Sequence, residues 1–212
     1  MNNRFRYAIC RQVEEPRRAG ENEAGIDFFI PSNLTVDDLM KANEKSNSEV
    51  LHSSGYWPEA NKVFLKIKSR KEPYVNEIIL GAGARIIIPS GVCGLIEPAN
   101  SMLMAANKSG ISTKKGLIYG AEIVDSSYVG EIHINLINTS DIPQVIEVDE
   151  KAKLQFIHVP IYPTTPERIP WDGENGFAAL AKDWSERGSN WQGSTDKGEV
   201  KDIEPYNDGP NA

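Results

Sequence analysis

The 212-residue sequence predicts an all-β domain of jelly-roll or barrel type. Three observations carry that expectation. Residues 131–138, EIHINLIN, alternate strictly, with Ile132, Ile134 and Leu136 on one face and His133 and Asn135 on the other. That is the period of a half-buried strand. Further short apolar runs, KVFLKIK, RIIIPSG, SMLMAAN, PQVIEV and KLQFIHVPI, recur between Gly, Pro, Asn and Asp punctuation. Helical patterns are few and do not alternate with the strands, so a βαβ architecture does not fit.

Taken in order, the segment TVDDLMKANEK has an N-cap residue at Thr35, acids in its first turn and lysines at its end, the charge order that a helix dipole favours. KVFLKIK, RIIIPSG and SMLMAAN then read as strands, followed by the alternating run at 131–138 and by PQVIEV and KLQFIHVPI. GFAALAKDWSE, from Gly176, is a second helical candidate. Both helical segments read as small insertions, at about 35–76 and 164–182, on a single β domain spanning 1–183. From Trp184 the sequence turns rich in Gly, Ser, Asn and Asp and buries too little apolar area to fold alone. Residues 184–212 are therefore predicted to form a flexible C-terminal arm. No internal repeat is present.

Composition narrows the function. A formal net charge of −7 disfavours a broad electrostatic grip on nucleic acid, so an anionic ligand needs a local cluster of donors. Cys10 and Cys93 stand far apart without ligand-spaced partners, which encodes neither a disulfide framework nor a zinc site and points to a reducing cytoplasm. The sequence shows no signal segment and no membrane-length apolar run. His52, His133 and His158 have no sequence neighbours suited to metal binding, and no metal ligand is assigned.

The stretch KSGISTKKGLIYGAEIVDSSYVGE, Lys108 to Glu131, is broken by glycines and is expected to be non-helical. Lys108, Ser109 and Gly110 place a cation, a hydroxyl and an approachable backbone in succession, a combination able to hold a phosphate. Asp125 follows Ile123 and Val124 and precedes a Ser-Ser-Tyr turn, which sets a carboxylate at a strand end where it can orient water as a general base. Tyr128 offers a ring to a sugar or base. In the arm, RGSNWQGST joins a forked donor at Arg187 to Gly193 and the hydroxyls of Ser194 and Thr195. Each of these features by itself has an ordinary alternative: a polar turn, a turn-forming Asp, a packed Tyr, a polar terminus.

In combination and in order they resemble the five motifs of the trimeric dUTP diphosphatases: AGID at 24–27, NKSG at 107–110, GAEIVDSSYVGE at 120–131, KAKLQF at 151–156 and RGSNWQGST at 187–195. The resemblance implies a distorted jelly roll assembled as a homotrimer, with each active site drawing on three chains. It implies that Asp125 deprotonates the water attacking the α-phosphorus of dUTP, releasing pyrophosphate and leaving dUMP. Tyr128 stacks under the deoxyribose and excludes a 2′-hydroxyl. Gly120, Ala121 and Ile123 belong to a hairpin whose backbone reads the uracil edge. Lys108, Ser109, Gly110 and Gln155 serve the phosphate end, and the arm closes with Arg187, Gly193, Ser194 and Thr195. Mg2+ is held mainly by the substrate triphosphate. The insertions offer a surface to a protein partner, and neither nucleic acid nor membrane is an expected partner.

The sequence departs from the family at three places. Lys108 stands where Arg is usual and lacks its planar fork. The base-covering aromatic of the arm falls at Gln192, with Trp191 one place early, so Trp191 is the candidate for stacking. In the fourth motif only Gln155 and its apolar flanks match well. Three other functions remain open on the same fold: a relative of the dCTP deaminases, a pyrophosphatase for a modified pyrimidine nucleotide, and a catalytically weak nucleotide-sensing regulator.

Overall fold

The structure is a computed structural model, and it describes residues 4–52, 59–148, 151 and 153–161. The chain divides into two units, Met1–Pro163 and Thr164–Ala212, and the described residues all belong to the first. The second helical candidate from Gly176, the 164–182 insertion and the 184–212 arm lie outside the described residues.

In chain order the elements are β1 (Arg4–Ile9), β2 (Arg17–Arg18), β3 (Ile26–Phe28), α1 (Val36–Ala42), β4 (Glu49–His52), β5 (Lys62–Ile67), β6 (Val75–Leu80) and β7 (Arg85–Glu97). They continue with β8 (Ser101–Ala106), α2 (Ser109–Lys115), β9 (Leu117–Tyr119), β10 (Ile123–Asp125), β11 (Glu131–Asn138), β12 (Gln144–Glu147) and β13 (Leu154–Pro160). The strands form three sheets, ordered β1-β7-β11-β9, β10-β8-β13-β3-β2 and β12-β6-β5-β4. None closes on itself, so the all-β expectation is met by a jelly-roll-like stack of open sheets and not by a closed barrel.

The alternation read at 131–138 holds in β11: Ile132, Ile134 and Leu136 are buried while His133 faces out. Across the sheet interface these residues join Ile86, Ile88, Leu103 and Phe28 in one core, where Phe28 meets Phe156 edge-on at 4.8 Å between ring centroids. The segment expected as an insertion at 35–76 is part of this core. It buries Leu39, Val63, Leu65 and Val75, and β5 within it pairs with β4 in parallel and with β6 antiparallel.

α1 begins where the sequence places it. Thr35 closes a capping box with Asp38, the Thr35 hydroxyl accepting from the Asp38 N–H at 3.1 Å and an Asp38 carboxylate oxygen accepting from the Thr35 N–H at 3.0 Å. At its other end the buried Asn43 amide donates to the Leu39 and Ile87 carbonyls and accepts from the Ile87 N–H, which ties the helix to β7. One expectation fails: Ser109–Lys115 within the glycine-broken stretch is helical. Lys108 takes the N-cap position, Gly110 sits in the first turn, and Gly116 ends the helix at a φ of 63°, a left-handed conformation that glycine adopts without a Cβ clash.

Asp38 carries two duties, since its other carboxylate oxygen accepts from Arg11 at 3.0 Å. Burial raises its carboxyl pKa, but the Thr35 hydroxyl and N–H and the Arg11 guanidinium outweigh that and leave it below the ordinary 3.8. A depressed pKa means that the contribution is present above the unfolded-state value and is lost as pH falls through the folded-state value. Asp38→Ala is expected to cost about 1–2 kcal/mol of stability at neutral pH through the lost cap. In thermal melts the gap from the parent should narrow below about pH 4; a gap independent of pH would show that the carboxylate charge contributes nothing.

Candidate active site

α2 and β13 meet at a cleft of about 530 Å³, lined among others by Lys108, Ser109, Gly110, Ile111, Lys115 and Gln155. Three of the five motifs converge here, because β13 lies between β8 and β3 and sets Gln155 opposite both Ala106 and Asp27. Lys108 donates to the Asp27 carboxylate at 2.6 Å, with only 27% of the Lys108 side chain and 13% of the Asp27 side chain exposed. The ammonium is thus held at the cleft by a half-buried partner. Gln155 donates to the Asn107 carbonyl at 3.2 Å, and the Asn107 side-chain oxygen accepts from the Tyr119 N–H at 3.2 Å. Gly25 is required beside it, since a Cβ there would lie 2.5 Å from the Gln155 side-chain oxygen.

Gly110 has open space on its Cβ side, so a ligand can reach the backbone of the first turn of α2. The first N–H groups of any helix have no partner within it. The cleft therefore presents an ammonium, a hydroxyl and main-chain donors, the chemistry of an anion site. Among the described residues no group of three or more His, Cys, Asp or Glu side chains converges as a metal cage. This donor set suits phosphate oxygens and leaves a divalent cation to be ligated by the phosphates themselves.

Asp125, Ile123 and Tyr128 are not in this cleft. β10 pairs with the opposite edge of β8 from β13, setting Asp125 opposite Met102 while Gln155 stands opposite Ala106. Four residues of strand rise correspond to about 13 Å, and two strand spacings across the sheet add about 10 Å in the perpendicular direction. A carboxylate and an amide so separated cannot serve one phosphorus within a single chain. Asp125 is exposed, as are Ile123 at 51% and Tyr128 at 43%. The Tyr128 hydroxyl donates to the Glu131 carbonyl at 2.8 Å, and the Tyr128 N–H closes a turn onto the Asp125 carbonyl at 3.0 Å.

Gly120, Ala121 and Glu122 connect β9 to β10, but the expected hairpin is not formed. β9 pairs with β11 and β10 with β8, so this turn crosses between two sheets. The cause is local bonding: the Gly120 N–H is taken by the Asn135 carbonyl at 3.1 Å, and the Glu122 carbonyl by the Ala105 N–H at 2.6 Å. A Cβ at Gly120 would lie 2.8 Å from the Asn135 side-chain oxygen, so the close approach needs glycine. Arg187, Trp191, Gly193, Ser194 and Thr195 lie outside the described residues.

Sequence reasoning gave Asp27 no role although its motif was recognised, and it read Glu131 as a surface residue. The Glu131 side chain is 19% exposed and bound by Arg11, a partner from the far end of the chain that no local pattern announces. His158 faces the Ser101 hydroxyl at 2.8 Å, and burial holds its imidazole pKa below the ordinary value, a packed histidine with no ligand role.

No family model matches the chain. Among curated relatives, the deoxyuridine 5′-triphosphate nucleotidohydrolase of Glaesserella parasuis is 33% identical over 108 residues, 48% of this chain and 71% of the relative. That of Haemophilus ducreyi is 31% identical over 88 residues, 41% of this chain but only 57% of the relative's length. A Staphylococcus bacteriophage 80alpha dUTPase variant with dUpNHpp superposes with a TM-score of 0.53 at 16% identity, over 84% of this chain and 99% of the other. The dUTPase of phage phi11 of S. aureus gives 0.52 at 15% identity, over 82% and 99%. These structures share the fold, and the first relative is matched over the greater part of its length. The chain belongs to the deoxyuridine 5′-triphosphate nucleotidohydrolase family.

Proposed function

We propose that the protein hydrolyses dUTP to dUMP and pyrophosphate in the cytoplasm, as a homotrimer with sites shared between subunits. The observation that carries this reading is the division of the motifs along β8, with phosphate donors in one cleft and the carboxylate and ring at the other edge. A second copy of the chain, bringing its Asp125 and Tyr128 to the cleft of the first, supplies what one chain keeps apart.

In such a site Lys108, Ser109, Gly110 and Gln155 bind the phosphates, with Asp27 fixing the ammonium. Asp125 takes a proton from the attacking water, whose oxygen bonds to the α-phosphorus as the bond to the bridging oxygen of the leaving pyrophosphate breaks. Tyr128 packs under the sugar and leaves no space for a 2′-hydroxyl, while Gly120, Ala121 and Ile123 face the base. Arg187, Gly193, Ser194 and Thr195 close on the triphosphate with Trp191 over the base. Mg2+ bound to the triphosphate supplies charge neutralisation. A phage relative's structure is described as coordinating a structural Mg(II) ion, which supports magnesium as the metal of choice. Residues 164–182 are left for contact with a protein partner.

Incubation with dUTP, dCTP and dTTP plus Mg2+ tests the reaction. Pyrophosphate from dUTP alone is expected, whereas ammonia from dCTP would mark a deaminase and bound nucleotide without turnover a sensor. Asp125→Asn should lower kcat by about 10²–10⁴ with dUTP affinity within about tenfold of the parent; surviving turnover would place the base elsewhere. Tyr128→Ala should admit UTP as a substrate, and an unchanged preference for dUTP over UTP would remove the ring from sugar selection. Shared sites make a sharper demand. Asp125→Asn and Lys108→Met proteins, each inactive, should regain activity when unfolded and refolded together, because about one site in four then combines an intact carboxylate with an intact cleft. Absence of any recovery in mixed trimers would place both residues in one chain's site.

A further inference from the structure

Tyr128 does not stand alone on its loop. Its hydroxyl donates to the main-chain carbonyl of Glu131 at 2.8 Å, and its ring lies over Gly130, where a Cβ would come within 2.8 Å of the hydroxyl oxygen and 3.0 Å of Cζ. The ring's position is thus set by where the Glu131 backbone sits. Glu131 is fixed in turn by its own side chain. One carboxylate oxygen accepts from Arg11 Nε at 2.8 Å and from the Gly91 N–H at 2.8 Å, and the other accepts from Arg11 Nη2 at 3.3 Å.

The Gly91 N–H is available because the β7–β11 ladder slips at this point. Glu131 pairs with Cys93 but His133 with Pro89, so β7 carries extra residues in a bulge whose Gly91 has a φ of 76°. A Cβ at Gly91 would lie 3.0 Å from Arg11 Cβ, so the bulge and the arginine are packed together. Arg11 is held from a third side by Asp38 at 3.0 Å, whose second oxygen caps α1. The three side chains are 19–28% exposed, a geometry in which a forked, charge-assisted pair keeps its direction. The hydrogen bond to Glu131, opposed by burial and aided by Asp38, raises the Arg11 pKa above its ordinary value, so the guanidinium stays charged across the working pH range.

We propose that Arg11 and Glu131 are positioning residues for substrate selection: the Arg11–Glu131–Gly91 anchor fixes the Glu131 backbone, and through its carbonyl the Tyr128 ring that excludes the 2′-hydroxyl. The anchor reaches the sugar without touching it. The link to selectivity rests on the dUTPase reading above, whereas the link from Arg11 to the ring does not. Asp38 connects the same anchor to α1, so the 35–76 segment is mechanically joined to the Asp125–Tyr128 loop.

Two measurements test the proposal. The first is a kinetic cycle on the full-length protein, using Arg11→Lys, which keeps the charge without the fork, and Tyr128→Ala. Arg11→Lys should lower the ratio of kcat/KM for dUTP to that for UTP by about fivefold or more in the parent, and by less than about twofold in the Tyr128→Ala background. Glu131→Gln should behave likewise. An equal fall in both backgrounds, or none in the parent, overturns the role in selection, since a general loss of stability would not depend on Tyr128. The second uses protein labelled with 3-fluorotyrosine and no substrate, with the Tyr128 resonance assigned by its loss in Tyr128→Phe. Arg11→Lys should shift or broaden that resonance and leave that of the buried Tyr119 in place; an unmoved Tyr128 signal overturns the anchor. If the parent releases no pyrophosphate from dUTP, the functional reading fails on its own and the fluorine spectrum still decides the anchor.

Discussion

The pairing of β8 along both of its edges is the constraint on which the site depends. β13 on one side carries Gln155 to the Ala106 end, and β10 on the other carries Asp125 to the Met102 end. Hydrogen-bonded ladders fix these registers, and a slip of one residue would turn the buried Leu103 to the outside. The separation of the carboxylate from the phosphate donors is therefore as rigid as the sheet. An enzyme built on this frame gains its complete site by association, which makes assembly a condition of activity.

The polar groups at the two ends are supported in different ways. At the cleft, Lys108 is held by a single half-buried carboxylate, so a phosphate arriving there meets a cation already compensated by Asp27. Exchange of one anionic partner for another suits a group that must release its product. At the loop, Glu131 is bound by a forked guanidinium and a bulge N–H together, and removal of either leaves a half-buried charge without its partner. That arrangement favours a fixed geometry, as a stacking ring requires.

The segment at 35–76 shows why an apparent decoration is hard to recognise from sequence. Its helix and strands have the ordinary signals, and α1 starts at Thr35 as the capping residues require. Whether such a segment is an ornament or part of the core depends on what its apolar face meets. Leu39, Val63 and Leu65 meet the same core as Ile86 and Ile134, and Asn43 bonds directly to the β7 backbone.

By itself the sequence determined the local pieces: the alternation of β11, the capped start of α1, the strand signals from KVFLKIK to KLQFIHVPI, and the Lys108–Gly110 and Asp125–Tyr128 groups as chemical candidates. These follow from side-chain periodicity and neighbouring residues, which a linear text contains. It did not determine that Ser109–Lys115 is helical, because a run of about two turns draws little from propensity and forms through its contacts and its Gly116 stop. Only the tertiary structure decided that the turn after β9 crosses between sheets, that Asp27 meets Lys108 and that Arg11 meets Glu131. Each of these joins residues remote in the chain, and their meeting is set by strand order and register. The energies that select that order belong to the packed core as a whole and are written in no single segment.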